Sequence, residues 1–450
     1  MMPPKPVSRP DRVSLSRYLK LFRQDLLSAQ PERLYRAWMA EFKTPFFRSF
    51  MINQPELVDL VLKERPMDFP KSNRIAEGLR PLLGQSVFLT NGDQWLKQRR
   101  IIDPAFEGGR VKDSFRAMHD AAVAAAVRMP IGAAVELEEQ CSHAAADVIF
   151  RTLFSIPIEH EVASEVFLLF KEHQRSQPIV NLAAFVPLPR WMPRFHPAKA
   201  KVTATKIRGL IKTLVEARQQ EIANETAPAD LATKIMTTPD PNTGDLFSRE
   251  EMVDQVAIFF LAGHETSASA LAWSLYLLAL YPEWQERVAR EVSGVDVSDF
   301  RAVSKLRVTR GVFREALRLY PPVPMMVREA SRDEHFRGRR VPKGAQIVIS
   351  PWHLHRQSRL WTDPDDFDPD RWKTDNGKDC LRKAFIPFST GQRVCPGAGF
   401  AMIEGPLLLA KLVSDFALKA DAANVPVPVA HLTVRAKNGI IVDVQRRTGR

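Results

Sequence analysis

The stretch from Ser248 to Tyr281 constrains this chain more than any other. Ser248 with Glu251 three residues on spells a capping box, and Pro282 cannot continue a helix. The spacing therefore predicts one helix of 34 residues, about 50 Å long. It is apolar on nearly all sides, which predicts burial through the middle of a large helical core. A membrane span from Thr266 to Leu280 would fall short of the roughly 17 residues needed, and His264 and Glu265 in mid-course argue against a lipid-facing rod.

Ala262-Gly263-His264-Glu265-Thr266-Ser267 interrupts that apolar rod. Burying an unpartnered carboxylate costs on the order of several kcal/mol, and a glycine inside a helix about 1 kcal/mol against alanine. A penalty of this size in the longest core helix predicts a site rather than a structural kink. Glycine lets a ligand approach the backbone, and a hydroxyl beside an acid can bind water and pass protons. His264 points away from the side shared by Gly263 and Thr266 and is expected to be ordinary core.

Around the rod the pattern is helical first and strand-like later. Phe46 to Ile52 reads as a strand, followed by a helix from Glu56 to Lys63. Helical texture dominates from Asp93 to about Glu225, including Met118 to Ala126 and Glu136 to Phe154, with breaks at Pro178 and at Pro187 to Pro197. Beyond Arg328, short runs such as Gln346 to Ile349 and Gly439 to Val444 suggest strands. This is a mainly α chain of the α+β class. No repeat or Gly/Ser linker divides it, so a single domain over 31–450 is expected behind a partly flexible extension over 1–30. Lys5, Arg9, Asp11, Arg12, Arg17 and Lys20 interrupt every apolar run at the start, so neither a secretory signal nor a leading membrane anchor is expected. A transit peptide is the weaker second reading. The formal charge of +12 comes with no run of five basic residues and no nucleic-acid-binding motif. That disfavours nucleic acid and leaves a generally basic protein or a basic face for an acidic partner.

Three cysteines, Cys141, Cys380 and Cys395, form no disulfide framework and fit a reducing compartment. Cys141 sits in a helical pattern as a small hydrophobe, and Cys380 lies in a polar stretch with no evident role. Cys395 differs. It is embedded in Phe388-Ser389-Thr390-Gly391-Gln392-Arg393-Val394-Cys395-Pro396-Gly397, ahead of an apolar helix from Ala398 to Val413. Glycine N–H groups, a helix N-terminus and Arg393 each favour thiolate over thiol. A nucleophile would need a base that is not nearby in sequence, although the fold could supply one. Zinc would need further ligands; His353 and His355 could pair on one strand face, but a third is missing. Axial ligation of haem by a single thiolate remains.

At this point a resemblance enters. Phe388 to Gly397 resembles the F-x-x-G-x-R-x-C-x-G haem-binding loop of the cytochrome P-450 haem-thiolate monooxygenases. Ala262 to Ser267 is similar to that family's oxygen-activation motif, Glu315-Ala316-Leu317-Arg318 to its E-x-x-R helix, and Phe367 to Trp372 to its meander, with Asp370 where Glu is usual. With Trp95-Leu96-Lys97-Gln98-Arg99 the resemblance covers about residues 30 to 445. It implies the cytochrome P-450 fold: helix-rich with small antiparallel sheets, and haem b between the long central helix and the cysteine-loop helix. It implies Cys395 as axial iron ligand and Trp95, Arg99, Arg328 and Arg393 as partners of the haem propionates. Ala262, Gly263 and Gly397 would line the cofactor, and Phe388 would shield the sulfur. Glu265 and Thr266 would serve as the proton-handling catalytic pair, and Arg371 would join Glu315 and Arg318 in a buried triad.

The activity so implied is insertion of one oxygen atom of O2 into a hydrophobic small molecule. The chain has no flavin or nicotinamide motif and no cysteine cluster. Electrons are therefore expected from a ferredoxin- or flavodoxin-type donor with its NAD(P)H reductase, docking near Lys97, Arg100, Arg110, Lys112, Arg382 and Lys383. An H2O2-driven peroxygenase and a non-catalytic haem gas sensor or carrier are the alternatives, and Glu265-Thr266 disfavours both. Apolar positions over 72–89, 167–195, 259–262 and 323–326 match the family's pocket lining. A cytoplasmic monomer is expected, with no nucleic acid bound and no membrane anchor.

Overall fold

Capping chemistry starts the central helix where the sequence places it. In the computed structural model, which describes residues 2–43, 48–107, 109–176, 198–430 and 432–447, the helix runs Arg249–Leu280. Ser248 Oγ accepts from the Glu251 N–H at 3.3 Å, and Glu251 Oε2 accepts from the Ser248 N–H at 2.9 Å. The helix is buried from Met252 to Ala279 apart from a few positions around its polar break. Leu271, Leu275, Leu277 and Leu278 are each 1% exposed or less, and burying each contributes roughly 1.5–3 kcal/mol. Trp273 stacks on Tyr320 with ring centroids 4.0 Å apart. Among the described residues, no helix is long and apolar enough to cross a membrane.

The helix packs along Leu137–Phe154. A Cβ added to Gly263 would lie 2.4 Å from Ile149 Cδ1. The side on which Gly263 lacks a Cβ is thus taken up by a neighbouring helix.

Two helices carry the remaining motifs: Arg307–Leu319 holds Glu315 and Arg318, and Ala398–Asp415 follows the Cys395 loop. The largest sheet orders its strands Met39–Lys43, Arg48–Ile52, Gln346–Ile349 and Met326–Glu329. Its middle pair is parallel, with Phe50 opposite Ile347, so the sheets are not all antiparallel as expected. Strands nearly 300 residues apart in sequence need no tight turn between them, and a parallel pair is then allowed. A three-stranded sheet joins Gly132–Glu136, Ile441–Arg446 and Phe416–Ala420. The expected breaks at Pro178 and Pro187 to Pro197 lie outside the described residues.

The leading segment packs on the body. Tyr320 donates its hydroxyl to the Pro4 carbonyl at 2.9 Å, Lys5 pairs with Asp365 at 3.0 Å, and Asp25 accepts from the Ala430 N–H at 2.7 Å.

Candidate functional site

The Cys395 loop is shaped by its backbone. Gly391 has φ +71°, and a Cβ there would sit 2.1 Å from the Leu62 carbonyl oxygen. Only glycine fits both the left-handed conformation and the close approach. The Cys395 N–H donates to the Phe388 carbonyl at 2.9 Å, folding the loop back on itself. At the loop's start, the Ile386 N–H donates to His355 Nε2 at 2.9 Å, while His355 Nδ1 lies 3.2 Å from the Arg318 carbonyl.

That contact joins the loop to a buried ionic cluster. Arg318 pairs with Glu315 through Nη2–Oε1 at 2.7 Å and Nε–Oε2 at 3.0 Å, and Arg371 Nε meets Glu315 Oε1 at 3.2 Å. Arg318 also donates to the carbonyls of His355 and Asp366, and Arg371 to those of Thr362 and Asp363. Every charge is buried but hydrogen-bonded, the condition under which such a cluster is tolerable. Asp370 stands apart, paired with Arg287 at 3.0 Å and with Lys373. His353 and His355 are not a metal pair on a strand: Pro351–Leu354 is a helical turn, His353 bonds Ser350, and burial pushes both rings down to about 3.

Around the sulfur, cations outnumber anions. Arg99 pairs with Asp103 and also donates to the Val394 carbonyl at 2.8 Å. Arg393 donates to the Thr90 carbonyl at 3.2 Å and to Asn91 Oδ1 at 2.9 Å, and lies over the Trp95 ring. Arg328 is 5% exposed and donates only to its neighbour, the Val327 carbonyl. Lys71 Nζ donates to the Phe88 carbonyl at 2.7 Å. Among the described residues, no carboxylate pairs with Lys71, Arg328 or Arg393. Burial pushes both Arg328 and Arg393 down to about 10, the latter helped by Arg328 and Arg99. Burial and then Arg328, Arg393 and Arg99 push the Lys71 ammonium well below its ordinary value.

The Cys395 thiol is pushed up, not down. Burial outweighs the Gly397 N–H, Arg99 and Lys71, all of which favour thiolate. The Gly397 N–H favours thiolate as the sequence suggests, but burial outweighs it, and Arg393 turns toward Asn91 rather than the sulfur. Cys395 nevertheless keeps accessible surface. Such a sulfur lacks one strong positive partner, and the cation group beside it is short of anions. A ligand carrying a metal ion for the sulfur and carboxylates for the cations answers both, and haem with its two propionates fits that description.

On the central helix, Ala262 is exposed and Thr266 half-buried. Thr266 Oγ1 donates to the Ala262 carbonyl at 2.5 Å. Glu265 turns elsewhere: Oε2 accepts from Thr433 at 3.0 Å and Oε1 lies 3.5 Å from Arg435. Burial raises its carboxyl, opposed by those two residues. His264 is fully buried against Ser142 at 2.7 Å, as expected of core, and burial pushes it down to about 3. The structure thus brings Trp95, Arg99, Arg328 and Arg393 together near Cys395, whereas Glu265 and Thr266 make no hydrogen bond to each other. Lys71 and Asn91 escape the sequence reading. Asn91 accepts from the Lys71 N–H and from Arg393, and donates to the Lys71 carbonyl; no local pattern marks either residue.

Comparison with known proteins identifies the family. Residues 32–443 match the family described as Cytochrome P450. The chain is 31% identical over 380 residues to a cyclooctat-9-en-7-ol 5-monooxygenase of Streptomyces melanosporofaciens, covering 83% of this chain and 80% of that one. It is 30% identical over 400 residues to a cytokinin hydroxylase of Arabidopsis thaliana (86% and 77% covered) and 30% identical over 411 residues to cytochrome P450 4A10 of Rattus norvegicus (84% and 78%). The crystal structure of the cytochrome P450DA heme domain shares the fold, with TM-score 0.79 at 23% identity over 99% of this chain and 98% of that one. The chain belongs to the cytochrome P450 family, monooxygenases whose cofactor is a haem bound through cysteine thiolate.

Proposed function

We propose that this monooxygenase inserts one oxygen atom of O2 into a hydrophobic small molecule, using haem b ligated by Cys395. The observation that carries the reading is the pairing of a lone, accessible sulfur with the uncompensated cations Lys71, Arg328 and Arg393. Haem, when bound, supplies the activation of dioxygen with two electrons. The chain's residues supply the rest. Cys395 would supply the sulfur that holds the iron, the Gly397 N–H would temper its charge, and Phe388 would limit water around it. Trp95, Arg99, Arg328 and Arg393, with Lys71, would hold the propionates, and Ala262 and Gly263 would border the cofactor on the central helix. Thr266 Oγ1 holds a proton for delivery into the pocket, and Glu265 replenishes it from the side of Thr433 and Arg435. Val87, Phe88, Phe259 and Met325 contribute apolar surface at segments expected to line the pocket, which suits an apolar substrate.

Electrons come from a ferredoxin- or flavodoxin-type protein and its NAD(P)H reductase. The docking patch is narrower than the sequence suggests, because Arg100 pairs with Asp240, Lys97 with Asp245, and Arg382 and Lys383 with Asp379. Arg110 and Lys112 stay exposed, and Val111 between them lies beside Gly399 at the start of the cysteine helix. A cytoplasmic location as a monomer completes the reading. The test is Cys395→Ser and Cys395→His in the haem-reconstituted protein. Both lose the red-shifted reduced-CO band of thiolate ligation; its survival in either excludes Cys395 as ligand.

A further inference from the structure

The polar break in the central helix also touches the cysteine helix. Ser267 Oγ donates to Glu404 Oε2 at 2.8 Å. Glu404 lies on Ala398–Asp415, nine residues after Cys395, and is 2% exposed. Its Oε1 is buried with no hydrogen-bond partner, and no cation pairs with it among the described residues. Several titratable groups on helices packed against it are engaged elsewhere. Glu265 faces Thr433 and Arg435, His264 faces Ser142, Glu315 and Arg318 face each other, and Glu291 caps the N–H groups of Val308 and Thr309. Nearby Gly405 faces the Phe313 ring. A carboxylate with one hydroxyl and no counter-charge is unfavourable at such a place, so the acid stays neutral. Burial pushes it up to about 8, opposed only by the Ser267 hydrogen bond.

We infer that Glu404 is a positioning residue: as a neutral acid bonded to Ser267 it fixes the Thr266-bearing helix against the Cys395-bearing helix, and the unpaired charge left by its ionisation opens the packing between them. Ser267 follows Thr266 directly and Glu404 shares a helix with the sulfur loop, so this one bond joins the two sides of the site. Ionisation gives the proton to solvent and leaves a buried charge, which draws water between the helices.

The inference rests on haem-thiolate ligation only for its readout. In the full-length haem-loaded protein, the reduced-CO spectrum is followed as pH is raised from neutral. The wild type loses its thiolate-type band with a midpoint near 8. Glu404→Gln, neutral at every pH and still able to accept from Ser267, keeps the band at neutral pH and abolishes the transition. Ser267→Ala breaks the bond itself, so part of the band is lost already at neutral pH, and because the one interaction that favours the carboxylate is gone the remaining transition moves to higher pH. A purely structural bond would weaken folding in Ser267→Ala and leave the alkaline transition unchanged in both variants. An unchanged midpoint in Glu404→Gln, or no alkaline transition in the wild type, overturns the inference while leaving haem ligation standing. A wild type with no thiolate-type band at any pH overturns the haem reading itself.

Discussion

The guanidinium of Arg393 lies 4.0 Å from the centroid of the Trp95 ring, two residues before the cysteine on one side and four residues before Arg99 on the other. The stacking orients a charge that no carboxylate neutralises. A cation held this way is held for a ligand, because by itself it is a burden: burial pushes it down to about 10. Arg393→Ala is therefore expected to weaken haem retention roughly 10- to 100-fold, since a hydrogen bond to a charged group contributes about 1.5–3 kcal/mol. The haem-free chain should melt no lower than the wild type. Haem transfer to a scavenging protein and thermal melts of the haem-free chain measure the two effects. Equal loss of both would make Arg393 a structural residue.

Among the described residues, Glu315 is the one carboxylate shared by Arg318 and Arg371, and all three are buried. Glu315→Gln leaves two buried cations short of an anion, and breaking such a network costs about 3–5 kcal/mol. The damage should reach the sulfur, because Arg318 and His355 bond each other's carbonyls and His355 receives the Ile386 N–H. The expected result is a lower denaturant midpoint together with loss of the thiolate-type CO band. A variant that unfolds earlier yet keeps a full band when folded would disconnect the cluster from the loop.

What the sequence discloses here is what acts over short range. The central helix is legible because Ser248, Glu251 and Pro282 act within a few residues of its ends, and the Cys395 loop because its glycines and cysteine are contiguous. The Glu315–Arg318 pair is legible from its spacing, and Arg371 only through family resemblance. The cation group is only half legible: Arg99 and Arg393 sit in motifs, whereas Lys71 and Asn91 acquire meaning only when residues from four distant segments converge. The direction of Gly263's missing side chain is set by which helix lies alongside. The thiol's upward shift is likewise invisible in local sequence, because it comes from the mass of protein around the sulfur. The parallel pairing of Arg48–Ile52 with Gln346–Ile349 depends on the path of the intervening chain.

Gly263 tests one of those points directly. Alanine would place a methyl 2.4 Å from Ile149 Cδ1, and overpacking of this kind costs about 1–3 kcal/mol. Helix propensity returns about 1 kcal/mol. Gly263→Ala alone should therefore be neutral to mildly destabilising. In an Ile149→Val background, which removes Cδ1, the same change should be stabilising. A double-mutant cycle on urea midpoints reads the coupling, expected at about 0.5–3 kcal/mol. No coupling would mean that the glycine answers to something other than the neighbouring helix.

The last prediction concerns the adjacent acid and alcohol. Thr266→Ala should lower product formed per electron pair consumed while leaving substrate binding intact, because it removes the hydroxyl without moving the helix. Glu265→Gln should slow turnover on the order of 100-fold, the low end of what a positioned proton-transfer group contributes. Burial raises the Glu265 carboxyl, and Arg435 followed by Thr433 pull it back. Removing Arg435 leaves burial less opposed, so the carboxyl rises further and stays protonated to higher pH. The limb of the pH–turnover profile that tracks Glu265 should accordingly move to higher pH in Arg435→Gln, return toward its original position in Arg435→Lys, and disappear in Glu265→Gln. Product and NAD(P)H consumption measured across pH with a saturating redox partner separate these outcomes. A profile that ignores Arg435 would place the proton's route through some other group.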